Sequence, residues 1–322
     1  MTDSKARQAV QLHVGDALAR YGFSDGHPFG RDRQEAFLSV ARERDLLERV
    51  SCVEPVMGDA FQARLFHTPE YVEFVESRCR EGSGYLDGGD TPAESGTYEA
   101  ALTVVGTAVA AADAIMHGEC RRAFQPIAGL HHAGRETASG FCVFNDCGVV
   151  VEHVRRQYGL ERVAYVDIDA HHGDGVYFGF ADDPGLIFAD IHEDGRFLFP
   201  GTGAAEETGD GPAAGTKLNI PLTPGAGDRE FFEVWGEVED FLERHRPEFI
   251  ILQCGADPLM GDPITHLRYS DQPHREATLS LASIADRHAD GRLLATGGGG
   301  YNRKNIGLAW NAVLEALIDS VK

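Results

Sequence analysis

RVAYVDIDAHHGDG, residues 162–175, sets an apolar run directly against a cluster of acids and histidines. Arg162–Asp167 is short and lacks strict alternation, which is how a strand buried on both faces reads. In extended chain, residues i, i+2 and i+4 share a face, so Asp167, Asp169 and His171 are expected together. Two carboxylates and an imidazole on one face are costly to bury unless a cation binds them. Carboxylate oxygen and imidazole nitrogen suit Zn2+ or a similar divalent ion.

Outward from this stretch the same arrangement recurs. Leu186–Asp190, Leu218–Ile220, Phe249–Gln253 and Leu293–Thr296 read as further strands. Helical periods lie among them and ahead of them. Thr68 and Pro69 offer an N-cap and an N1 proline for a helix burying Tyr71, Phe74 and Val75. A long helix over about 97–117 carries Ala101, Val104, Val105, Ala108 and Ala112 on one face. Others run from Asn145 to Gly159, from Asp228 (burying Phe232, Trp235, Val238 and Leu242) and over about 303–319. GTGAAEETGDGPAAGTK (201–217) reads as one long surface loop, with no linker or repeat elsewhere. Alternating strands and helices predict an α/β fold: an open, mostly parallel sheet flanked by helices on both faces, in one domain over 1–322.

In such sheets the active site lies beyond the carboxyl ends of the strands. Asp257 follows the strand Phe249–Gln253 and, joined to Asp169 and His171, completes an Asp/His/Asp site with an open position, as catalytic zinc requires. His131 and His132 each need an orienting partner, and Asp167 and Asp174 are the candidates, giving two His–Asp dyads. Four glycines, 297–300, let backbone approach a ligand and place the Tyr301 hydroxyl as an oxyanion donor.

The 322 residues are 43% hydrophobic and 25% charged, ordinary for a globular chain, and the net charge is 29 − 51 = −22. Such a surface repels phosphate backbones and anionic lipids, so neither nucleic acid nor membrane is expected as a partner. No apolar run approaches the roughly 18 residues that cross a bilayer, and the N-terminus shows no apolar segment of a secretory signal. Six cysteines without a CxxC pair suggest reduced, mostly buried thiols and a cytoplasmic location.

Together, GLHHA (129–133), ASGFCVFND (138–146), VDIDAHHGDGV (166–176), FPGTG (199–203), CGADPLMGDP (254–263) and GGGGYN (297–302) resemble the zinc-dependent histone deacetylase family. That family includes bacterial acetoin-utilisation-type deacetylases and acetylpolyamine amidohydrolases. HPFGRDR (27–33) and GYLDGGDTPAESG (84–96) match more loosely, so the resemblance spans about 27–310. It implies the eight-stranded arginase–deacetylase fold and hydrolysis of the N-acetyl (acyl) amide of lysine side chains. It implies one Zn2+ on Asp169, His171 and Asp257, His132 with Asp174 as general base and acid, His131 with Asp167 as a second dyad, and Tyr301 as oxyanion stabiliser. Phe141 and Phe199 would wall an acyl-lysine tunnel beside Gly140. Asp90 would hold substrate backbone at the rim, and Arg33 would lie in an inner acetate-exit region. K+ or Na+ would sit at an inner site of Asp167, Asp169, His171, Asp190 and Ile191, and at an outer site of Phe180, Asp183, Leu186 and Thr216.

The implied substrate is an acetylated lysine protein or peptide, or a small acetylated amine. Polyamine-preferring relatives carry an acid at the tunnel mouth where this chain has Ile264, which favours acyl-lysine and leaves acetylpolyamines as the alternative. Two other readings remain at this stage: a two-manganese ureohydrolase-like enzyme on the same fold, and a catalytically inactive acyl-lysine reader.

Overall fold

The computed structural model describes residues 9–24 and 26–321; the first eight residues of the stretch read for a signal sequence lie outside them. Eight strands form one sheet: β1 (Val10–His13), β2 (Ser51–Val53), β3 (Arg122–Gln125), β4 (Val163–Asp167), β5 (Leu186–Glu193), β6 (Lys217–Leu222), β7 (Phe249–Gln253) and β8 (Leu293–Thr296). Their order is β2-β1-β3-β8-β7-β4-β5-β6, and every pairing is parallel. All residues of β3, β4, β5, β7 and β8 are buried, because helices cover both faces. On one side, Arg33–Glu43 packs on Arg303–Asp319, followed by Gln272–His288 and Asp228–His245; elsewhere Thr97–Met116 packs on Asp146–Tyr158.

The apolar runs of the central strands end at one level. Gln125, Thr296, Gln253, Asp167, Asp190 and Asn219 are successive register partners across β3-β8-β7-β4-β5-β6. This polar row is the floor of the functional region, and the loops that carry the chemistry rise from it.

Helix ends follow local chemistry. Thr68 accepts from Tyr71 N above Pro69, and Asn145 accepts from Gly148 N, while Gly159 ends its helix with φ 72°. Two core assignments are corrected. Phe74 and Phe232 are both 44% exposed. The buried stripes run instead through Tyr71, Val72, Val75 and Cys79, and through Phe231, Trp235, Val238, Phe241 and Leu242, with Phe231 stacked on Trp235 at 5.3 Å. Phe231 and Phe232 differ by one position, about 100° around the helix axis, enough to exchange the aromatic that faces in. Strands β5 and β6 are longer than their sequence patterns suggest, and the 201–217 loop closes one residue early, because Lys217 starts β6. β1, β2, β3, Arg33–Glu43 and Gln272–His288 were not anticipated. Thr97–Met116 has the length and composition to cross a membrane, contrary to the reading of its sequence, but 78% of its apolar window is buried in the protein. It is a core helix.

Candidate active site

Beyond β4 the chain leaves the sheet, so the two-residue alternation stops at Asp167. Asp167 therefore does not join Asp169 and His171 as the extended-chain reading expected: its Oδ2 faces His131 Nδ1 at 2.8 Å and accepts from the Tyr165 hydroxyl, while its Oδ1 accepts from Asp169 N. Asp169 and His171 instead meet Asp257, brought across from the end of β7. His171 Nδ1 lies 3.1 Å from Asp169 Oδ1 and 3.1 Å from Asp257 Oδ2. One ligand atom from each of the three lies within 4.8 Å of the others, and all three residues are buried. Burial pushes the Asp257 carboxyl up to about 7, assisted by Asp169. Burial alone would lower His171, but Asp257 and Asp169 overcome it and raise the imidazole to about 10. Two buried carboxylates around one imidazole gain most from a divalent cation.

The backbone of this group is tied down. Asp257 Oδ1 accepts from Ala170 N at 2.9 Å, and Asp169 Oδ2 accepts from Gly299 N and Gln253 Nε2 at 2.8 and 2.9 Å. A Cβ on Gly255 would strike the Asp169 carboxylate, and one on Gly299 the Asp257 carboxylate. The glycines thus allow the backbone of two loops to touch the acids. Arg33, buried, donates from Nε to Gly300 O at 3.0 Å and from its terminal nitrogen to Gly298 O, with Phe29 stacked 3.9 Å below it. It clamps the glycine loop.

The histidines form two pairs. His132 Nδ1 lies 2.6 Å from Asp174 Oδ1, and the Nε2 atoms of His131 and His132 face each other at 3.2 Å. Burial, then the neighbouring His131, lowers His132 to about 4, so at neutral pH it is an uncharged imidazole. The Tyr301 hydroxyl is held well above its usual range by burial and then by Asp257 and Asp169, so it remains a donor. Its backbone N–H donates to Asp262 Oδ2 at 2.9 Å.

Phe141 packs edge-on to Tyr301, ring centres 5.9 Å apart, and Phe199 packs edge-on to His132 at 5.1 Å. Phe141 has φ 69°, unusual for a bulky residue, held by Thr91 Oγ1 on its N–H and the Tyr21 hydroxyl on its carbonyl. Gly140 has φ 53°, and a Cβ there would strike the His132 ring. Asp90 lies on an exposed turn around Asp87; burial, then a side-chain hydrogen bond with Asp87 and the Asp87 charge, raise it to about 6. Ile264 is partly exposed, and its N–H donates to Asp262 Oδ1, the carboxylate that also holds Tyr301.

Asp190 Oδ2 accepts from Gly173 N at 2.8 Å, and its Oδ1 faces His192 Nδ1 at 2.7 Å; Ile191 follows it in β5. In the outer cage, Lys217 Nζ donates to Asp183 O, Leu186 O and Thr216 Oγ1, while Phe180 O accepts from Asp183 N. Burial lowers the Lys217 ammonium to about 8. Sequence reading missed Gln253, Asp262 and Tyr165. Only Gln253 had a signal: it is the one polar residue ending the run FIILQ.

The histone deacetylase domain model matches residues 27–317. Acetoin utilization protein AcuC of Bacillus subtilis is 37% identical over 293 residues, covering 88% of this chain and 75% of its own. A probable deacetylase of Archaeoglobus fulgidus is 36% identical over 283 residues, covering 87% and 77%. Among solved structures, the HDA15 HD domain superposes with a TM-score of 0.90 over 97% of this chain and 89% of its own, at 24% identity, which bears on the fold. The eight parallel strands are those of the arginase–deacetylase fold, and the chain is a deacetylase enzyme of the histone deacetylase family.

Proposed function

We propose that this chain is a zinc-dependent deacetylase that hydrolyses the N-acetyl amide of lysine side chains and releases acetate. The observation that carries the reading is the buried Asp169/His171/Asp257 group beside the paired histidines. His171 and His132 rings are 5.7 Å apart, so a water near the three ligands lies within reach of an imidazole base. Zinc, when bound, supplies Lewis-acid polarisation of the acyl carbonyl and acidifies water.

The chain's own groups do the rest. Neutral His132, oriented by Asp174, takes the proton of the attacking water at Nε2 and returns it to the departing amine. His131, oriented by Asp167, is the electrostatic partner of that cycle. The protonated Tyr301 hydroxyl donates to the carbonyl oxygen as negative charge develops there. Phe141, Gly140 and Phe199 are the apolar walls of the approach, suited to an alkyl stem. Asp90 accepts a substrate amide at the rim, and Ile264 leaves the mouth without a carboxylate.

A K+ or Na+ ion is proposed at the inner position of Asp167, Asp169, His171, Asp190 and Ile191. Asp167 and Asp190 are buried register partners; burial and then the Asp190 charge push Asp167 well up, a repulsion that a cation relieves. The enzyme is proposed to act in the cytoplasm, in keeping with six free cysteines.

The test is a turnover panel of acetyl-lysine peptides, longer acyl-lysines, acetylputrescine and acetylspermidine, run with zinc analysis of the purified enzyme. Acetyl-lysine peptides are expected to be the better substrates. Acetylspermidine turnover at least about tenfold better in kcat/KM, at roughly 0.15 M salt, would replace this reading by the polyamine alternative.

A further inference from the structure

Lys217 opens β6 and its side chain is almost wholly buried. A lysine is seldom buried unless its charge is met. Here the ammonium's three N–H donors meet three oxygens: Leu186 O at 2.7 Å, Asp183 O at 2.9 Å and Thr216 Oγ1 at 2.9 Å. These belong to three of the four residues that the family resemblance assigns to an outer monovalent cation. The oxygens left over are already engaged: Phe180 O by Asp183 N, and Thr216 O by Phe188 N in the β5–β6 ladder. The Asp183 carboxylate is paired with Arg155 and accepts from Gly185 N.

An ammonium is close to K+ in size and carries the same charge, and it satisfies the same carbonyl oxygens through hydrogen bonds. A second cation in the cage would meet strong like-charge repulsion in a poorly solvated place. It would also strip the lysine of partners that offset the cost of its burial. We propose that the Lys217 ammonium is the resident cation of this cage, so that the chain binds no monovalent ion at the outer position. The β4–β5 connection and the start of β6 are thereby tied together by a covalently attached charge, independent of the salt around the enzyme. This inference stands on the cage alone and not on the proposed substrate or the inner ion.

Crystals of the unaltered enzyme equilibrated with RbCl provide the test, since Rb+ stands in for K+ and scatters anomalously. No Rb+ peak is expected in contact with Asp183 O and Leu186 O; a peak there overturns the proposal, whatever is seen at the inner position. Lys217→Ala removes the ammonium and opens its volume. That variant is expected to acquire a Rb+ peak at these oxygens. Its Tm should rise with KCl over matched choline chloride by at least about 2 °C more than that of the unaltered enzyme. A folded variant showing neither effect refutes the idea. If Lys217→Ala does not fold, the Rb+ map of the unaltered enzyme decides alone.

Discussion

The role proposed for Tyr301 rests on one oxygen. Burial keeps the phenol protonated, and Asp262 fixes the backbone from which it projects. Tyr301→Phe is expected to lower kcat by about 10²–10³-fold, the usual scale for one lost oxyanion donor, while the metal content measured alongside stays unchanged. Unaltered turnover would remove Tyr301 from the mechanism. Ile264, proposed to lie at the mouth, is expected to bear on choice of substrate rather than rate. Ile264→Glu would place a carboxylate at the mouth to meet a second ammonium group. Its kcat/KM ratio for acetylspermidine over an acetyl-lysine peptide should rise at least about tenfold. A ratio that does not move would show that Ile264 lies away from the bound substrate.

Among the elements, the proposed metal ligands come from loops after different strands, and glycines set how closely those loops approach. Asp257 arrives after β7, Asp169 and His171 after β4, and Gly299 after β8 donates to Asp169. Asp257→Ala is expected to lose most of the zinc, measured by metal analysis, together with activity. Gly299→Ala tests the support behind the ligands. Its Cβ would push on the Asp257 carboxylate, and a disturbed support of this kind typically weakens metal binding about 10–100-fold. A competition titration against a chelator reads this directly, and affinity equal to that of the unaltered protein would mean that the loop yields at no cost. Both experiments separate metal binding from chemistry, which turnover alone does not.

For the whole molecule, buried histidines tie stability to pH. His67 is buried and its Nε2 accepts from Asn145 N, the cap of the helix Asp146–Tyr158. Protonating that nitrogen would turn an acceptor into a donor facing a donor. Burial accordingly lowers His67 from 6.5 to about 3. The unfolded chain therefore binds the proton between about pH 6.5 and 3 and the folded one does not. The stability is intact above that window and falls as pH drops through it. By pH 5 this group accounts for about 2 kcal/mol. Urea unfolding at pH 7 and pH 5 should show His67→Gln losing about 2 kcal/mol less than the unaltered protein over that interval. Equal losses in the two proteins would refute the assignment. His13, lowered to about 4 by burial, contributes equally to both and cancels in the comparison.

The α/β class and the five strands from β4 to β8 were legible in the sequence, as were the residues that the fold gathers into the proposed site. They were legible because buried parallel strands are apolar runs, and because reactive side chains stand immediately after them. Motif order across most of the chain added the pairing of each histidine with its own aspartate. The tertiary structure decided what depends on neighbours distant in sequence. β1 and β2 are short strands at one sheet edge that β3 joins to the centre, and short pieces carry little periodicity of their own. The inward stripe of two helices was settled by Val72 and Cys79 joining Tyr71 and Val75 while Phe74 stayed exposed, and by Phe231 over Phe232, a choice made by the surface each helix packs against. Asp167 was separated from Asp169 because the chain left the strand between them and His131 lay opposite. Lys217 was placed inside a cage of oxygens from the β4–β5 connection and its own neighbour, a use of a charged residue that no local pattern encodes.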